Sequence, residues 1–119
     1  MGARVGLVLD CADPERLAEF WAAALDYTTV GGAGNYVMLV DPSGGQPKLL
    51  LQRVPEPKTA KNRMHLDIEH PDVEAEVTRL EQLGAVRVEG PLAEHESTWV
   101  VMHDPEGNEF CVCDAGQPG

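Results

Sequence analysis

The chain has no apolar run approaching the roughly 20 residues that a bilayer-spanning helix needs. Its first stretch, Met1 to Asp10, carries one arginine and a short apolar segment, without the long hydrophobic region and small-residue cleavage site of a secretory signal. The expectation is a cytoplasmic protein with no membrane partner. Positive charge is scarce: nine Lys and Arg stand against 20 Asp and Glu, for a net charge of −11. That balance repels nucleic-acid phosphates and anionic lipid, so nucleic acid is not expected as a partner, and it attracts cations. Cysteine is scarce as well. Cys11, Cys111 and Cys113 are an odd set, which argues against a disulfide framework. Cys111 and Cys113 are two apart, so a strand would turn them to one face, and their spacing is not that of a zinc-binding Cys-x-x-Cys. Neither a glycine-rich phosphate loop nor a dinucleotide-binding fingerprint is present, and no nucleotide cofactor is expected.

What is present is a repeat. Arg4-Val5-Gly6-Leu7 aligns with Arg63-Met64-His65-Leu66, and at the same offset of 59 Asp13 falls on Asp72. Tyr36-Val37-Met38-Leu39-Val40-Asp41-Pro42 aligns with Trp99-Val100-Val101-Met102-His103-Asp104-Pro105 at an offset of 63, with Gly44 and Gly107 two residues beyond. Two similarities in the same order imply a duplicated unit, and a small change of offset is what a loop insertion produces.

Each unit reads as a strand, a helix and three strands. Arg4 to Asp10 is β-prone. Asp13-Pro14-Glu15 opens a helix, with Asp as cap, Pro at the first position and Glu in the first turn. Leu17, Phe20, Trp21 and Leu25 then form one apolar face. Strands follow over Tyr27 to Val30, Asn35 to Val40 and Lys48 to Val54, with a turn at Asp41-Pro42-Ser43-Gly44. Residues 55–62, with two prolines, two lysines and a polar character, read as a linker. The second unit, about 63–114, has a strand over Arg63 to Glu69 and a helix over Asp72 to Leu83. Val73, Val77, Leu80 and Leu83 line one face of that helix, and Gly84 stands after it as a cap. A short strand follows at Val86 to Val88. A hairpin then spans Thr98 to His103 and Asn108 to Asp114. Ala115 to Gly119 read as a disordered tail. The expectation is a single α+β domain over residues 1–119, of two βαβββ modules (about 1–54 and 63–114), forming a curled mixed sheet with a concave cup and helices outside.

Three segments carry a family resemblance: Trp99 to Val112, the run Asn62-Arg63-Met64-His65-Leu66-Asp67 with its following helix and Leu83-Gly84-Ala85, and the opening helix Asp13 to Trp21. They resemble the vicinal-oxygen-chelate superfamily of glyoxalases, bleomycin-resistance proteins and dioxygenases, in its glyoxalase-like subgroup. The resemblance covers nearly the whole chain. It implies either an enzyme holding a divalent metal with four side chains, two from each module, or a metal-free protein that sequesters a small molecule, often as a homodimer.

Carried over position by position, the implied metal set is broken. The first ligand position falls on Gly6 and its second-module equivalent on His65. The last falls on Cys111. The remaining one falls on Leu50, which cannot bind, or on Gln52, which binds weakly. A catalytic metal centre normally needs three protein ligands or so. The expectation is therefore no cofactor. If a divalent metal does bind, His65 and Cys111 are its candidates, with Cys113 and His103 beside them, and thiolate would favour zinc or copper(I).

Strand alternation assigns the cup face. It comprises Gly6, Val8 and Asp10; Tyr36, Met38 and Val40; His65, Asp67 and Glu69; Trp99, Val101 and His103; and Glu109, Cys111 and Cys113. The candidate ligand-binding residues are Asp10, Tyr36, Met38, Gln52, Glu69, Trp99, Val101, His103 and Cys111. Tyr36 and Trp99, at equivalent repeat positions, are expected to clamp a planar ligand. Asp10, Asp67 and Glu69 favour a cationic one. His65 with Asp67 is the candidate acid/base pair, since an imidazole titrates near neutrality and a carboxylate stabilises its cation. The expected function is binding of a small cationic or aromatic molecule without the usual metal. The alternative is a metal-dependent lyase, isomerase or dioxygenase with His65 as ligand or base.

Overall fold

The computed structural model describes residues 2–114. The residues read as a disordered tail, Ala115 to Gly119, lie outside this range. The chain forms two compact units whose boundary falls between Lys58 and Thr59, inside the segment read as a linker. The architecture is α+β, with each unit running β-α-β-β-β.

The first unit comprises β1 (Leu7–Cys11), α1 (Pro14–Leu25), β2 (Thr28–Ala33), β3 (Tyr36–Val40) and β4 (Leu49–Arg53). Its sheet order is β1-β4-β3-β2, with β1 parallel to β4 and the other pairs antiparallel. Asp13 caps α1 by accepting from the Arg16 amide, and Pro14 occupies the first turn, where a missing N–H costs nothing. At its other end Asp26 adopts a left-handed conformation, which Asp tolerates better than most residues. Leu17, Ala18, Phe20, Trp21 and Ala24 are buried on the face of α1 that packs on β3 and β4. They meet the fully buried strand residues Val37, Leu39, Leu49 and Leu51, and Phe20 meets Trp21 edge-on at 5.1 Å. Leu25, expected on this face, is only half-buried at the last helical position.

The second unit repeats the plan: β5 (Leu66–Glu69), α2 (Val73–Gln82), β6 (Val86–Glu94), β7 (Ser97–His103) and β8 (Glu109–Cys113), in sheet order β5-β8-β7-β6. Asp72 caps α2 through the Ala75 amide. The helix stops where Gly84, at φ 116°, lets its own amide reach the Glu81 carbonyl and that of Ala85 the Leu80 carbonyl. Val73, Val77 and Leu80 pack toward Val100, Met102, Phe110 and Val112, all of them buried. Leu83 lies past the last turn and is exposed.

The boundaries of four strands in particular differ from the sequence reading. β1 and β5 begin at Leu7 and Leu66, where their parallel pairing with Leu49 of β4 and Phe110 of β8 begins. β2 runs through Gly31 and Gly32, with a bulge between Thr29 and Gly31. β6 extends over nine residues rather than stopping at Val88, accommodating Gly90-Pro91 through two register shifts on an edge strand, where proline is tolerated. The two Asp-Pro turns are built alike. Asp41 accepts from the Ser43 and Gln46 amides, and Asp104 from those of Glu106 and Asn108.

Candidate functional site

Each sheet has one face covered by its helix, and the opposite face carries the candidate residues. In the first unit the cross-strand rows on that face are Val8–Leu50–Met38 and Asp10–Gln52–Tyr36. Val8 and Tyr36 are markedly exposed, at 58% and 44%. In the second unit the rows are Asp67–Cys111–Val101–Glu89 and Glu69–Cys113–Trp99–Leu92, and Glu109 pairs with His103.

These registers decide between Leu50 and Gln52. Val8 corresponds to Asp67 and Met38 to Val101 by the repeat offsets. Leu50 lies between Val8 and Met38, as Cys111 lies between Asp67 and Val101. Leu50 is therefore the counterpart of Cys111, and Gln52, one row on, is the counterpart of Cys113. Both point to the same face, since they are two residues apart on one strand.

Three of the candidates converge. His65, just before β5, places Nε2 3.2 Å from the Asp67 carboxylate. One donor atom from each of His65, Asp67 and Cys111 lies within 4.8 Å of the others. Burial, and secondarily the Asp67 carboxylate, raise the Cys111 thiol above its ordinary value. The same causes push Cys113 up to about 11. Both thiols are buried, and without a bound cation both are protonated at neutral pH.

A second imidazole–carboxylate pair lies on the same face. His103 Nε2 is 3.2 Å from Glu109, whose other oxygen accepts from the Asn62 amide at 2.8 Å. Glu109 was placed on this face by alternation but not paired with His103. A hairpin closing at Asp104 puts residues 103 and 109 opposite each other, and that register is the signal that identifies the pair. Asp10, Gln52 and Tyr36 share one row of the first unit, and Glu69 and Trp99 flank Cys113 in the second.

The four metal-ligand positions implied by the resemblance do not fit a metal. Gly6 has no side chain, and a Cβ built there would lie 2.9 Å from Lys48 Cε. Leu50 has no donor. His65 and Cys111 remain, and Asp67 adds a carboxylate to them from the same unit.

The hollows of the first unit include two of different size. One of about 310 Å³ is lined by Arg4, Gly6, Val40, Gln46 and Lys48 among others. A broader one of about 680 Å³ lies between α1 and β2, along Glu15, Glu19 and Val30, and none of the candidate residues lines it. Since none of the site chemistry reaches it, its greater size is a poor guide to function.

The sequence model of the glyoxalase-like domain matches residues 6–113. Among solved structures, the chain is similar to a glyoxalase/bleomycin resistance protein/dioxygenase family enzyme from Burkholderia phytofirmans PsJN. The TM-score is 0.76 and the identity 14%, over 91% of this chain and 94% of that one. It is similar to a lactoylglutathione lyase from Agrobacterium tumefaciens, with TM-score 0.70 and 20% identity over 97% and 95%. A hypothetical protein from S. aureus gives TM-score 0.76 and 17% identity over 97% and 95%. No curated protein sequence matches the chain.

Proposed function

The chain belongs to the glyoxalase-like domain family, and from that premise we propose that it binds a small molecule on the helix-free faces of its sheets, without the four-residue metal site of the family's enzymes. The observation that carries this reading is the first unit's lack of ligands: Gly6 and Leu50 occupy the two positions that would have to supply them. The helix-free faces support it. Tyr36, Met38, Trp99 and Val101 offer aromatic and apolar surface, and Asp10, Gln52, Glu69, Asp67 and His103 offer polar groups, the mixture ligand sites use. The carboxylates favour an amine-bearing or cationic aromatic ligand. Three cysteines that form no disulfide among the described residues suit a reducing, cytoplasmic setting. Exposed Val8, Val86 and Val88 suit a homodimer, which sedimentation tests.

The test is a titration of aromatic amines followed by Trp99 fluorescence in the presence of EDTA, with Trp99→Phe to isolate the signal from buried Trp21. Saturable quenching that survives EDTA supports the reading. Its absence across the series, or its loss with chelator, would sink it.

The convergence of His65, Asp67 and Cys111 favours a second reading, an enzyme of the same superfamily. In it Asp67 orients His65 through their 3.2 Å contact, and His65 moves a proton on substrate. Turnover lost in His65→Ala, with the fold retained, distinguishes this from pure binding.

A further inference from the structure

We propose that the pocket of about 310 Å³ at the start of β1 and β4 binds an anionic group, a carboxylate or a phosphate, through Arg4 and Lys48.

The duplication makes the pocket unusual. Lys48 precedes Leu49, the partner of Leu7, and the Leu7 amide donates to the Lys48 carbonyl at 2.9 Å, so Gly6 and Lys48 continue the β1–β4 ladder. Val40, one residue past Leu39 on β3, extends the same row. This Gly6–Lys48–Val40 row is the counterpart of His65, Glu109 and His103 in the second unit. Where the second unit has an acid between two imidazoles, the first has an ammonium beside a glycine and a valine. The two halves have therefore diverged to opposite charge at one repeat position.

The pocket's cations are also uncommitted. Neither Arg4 nor Lys48 has an ion pair or a side-chain hydrogen bond among the described residues, in a chain with 20 acidic groups. By contrast Arg53, Arg79 and Arg87 are each paired with a glutamate. Gly6 leaves the space a side chain would fill, and the aliphatic stem of Lys48 lies over it. The one acid in the lining, Asp41, is held by the Ser43 amide and hydroxyl at 2.9 and 2.7 Å and by the Gln46 amide at 3.0 Å. Those bonds point its charge into its own turn. The volume is at the small end for ligand sites, enough for an anionic group with a short carbon skeleton. This inference rests on Arg4 and Lys48, which the binding reading above does not use, and it gives the Gly6–Lys48–Val40 row a charge preference opposite to that of its counterpart row in the second unit.

The experiment is a backbone amide NMR titration with inorganic phosphate, and separately with benzoate, against sodium chloride at matched ionic strength. The amides of Gly6, Gly44, Gln46 and Lys48 are the reporters. Saturable shifts confined to them, at least about tenfold weaker in Lys48→Gln and in Arg4→Gln, are expected from loss of a charge-assisted contact. A response to phosphate alone or to benzoate alone identifies the anion class and supports the site. Shifts reproduced by chloride, shifts unchanged in both variants, or none with either probe overturn it. Trp99 reports on the other unit, so failure here and failure of the amine titration are separable.

Discussion

Asp67 stands directly opposite Cys111 in the parallel β5–β8 ladder, and its negative charge adds to burial in keeping that thiol protonated. Cys111 is therefore a poor nucleophile at neutral pH, whatever its place on the site face. Alkylation of the folded protein by iodoacetamide is expected to be slow at Cys111 and slower at Cys113, with both fast in denaturant. Asp67→Asn should speed the reaction at Cys111 and move its pH profile toward neutrality. Rapid labelling of native Cys111 at neutral pH would count against this placement.

The β7–β8 turn depends on one carboxylate. Asp104 is buried and accepts from the Glu106 and Asn108 amides at 2.8 and 3.0 Å and from the Asn108 side chain. Asp104→Ala strands those donors and is expected to cost about 2–3 kcal/mol in a urea melt. Asp41→Ala, at the solvent-exposed turn of the first unit, should cost clearly less. Equal losses at the two turns would contradict the burial difference.

Glu76 sets part of the acid sensitivity. Arg79 donates to it through Nε and Nη2 at 2.8 and 2.7 Å, and this holds the carboxyl below its ordinary value of 4.5, with burial opposing. A carboxylate depressed in the folded state contributes stability that is present above the unfolded value and lost as pH falls through the folded one. Glu74, lowered by Arg87, and Asp41, lowered by Ser43, act in the same direction. Glu76→Gln is expected to cost about 1–2 kcal/mol at neutral pH. It should also reduce the further loss between neutrality and about pH 3, read from urea midpoints. A variant with an unchanged acid slope would contradict the assignment.

Core and site faces should respond differently to truncation. Phe110 is 1% exposed beneath α2, and Phe110→Ala is expected to cost about 3–5 kcal/mol. Val8→Ala, on the helix-free face, should stay within about 0.5 kcal/mol. Thermal melts of the two variants check the pair, and a large loss at Val8 would mean that its face is packed.

Local features were legible in the sequence and register was not. The Asp13 and Asp72 caps, Pro14, Gly84 and the paired Asp-Pro turns are decided within a few residues, so composition reveals them. The family resemblance, carried by the hairpin and the segment around His65, agrees with the domain match over residues 6–113. Whether Leu50 or Gln52 matches Cys111 depends on pairing with β1 and β3, strands distant in sequence, and alternation alone leaves both possible. β6 was cut short because Gly90 and Pro91 oppose strand formation locally, while pairing with β7 overrides them. Lys48 was missed for a related reason. It precedes the paired residues of β4, and only continuation of the ladder brings it beside Gly6.

The most direct test of the central claim is the metal content of untagged protein by plasma mass spectrometry, with thermal shifts in manganese, nickel, iron(II) and zinc. The account predicts well under one metal per chain and no stabilisation by manganese, nickel or iron(II), because Gly6 and Leu50 supply no ligand. One manganese, nickel or iron bound per chain, raising the melting temperature and lost in His65→Ala, would contradict it and establish the metal-dependent reading instead.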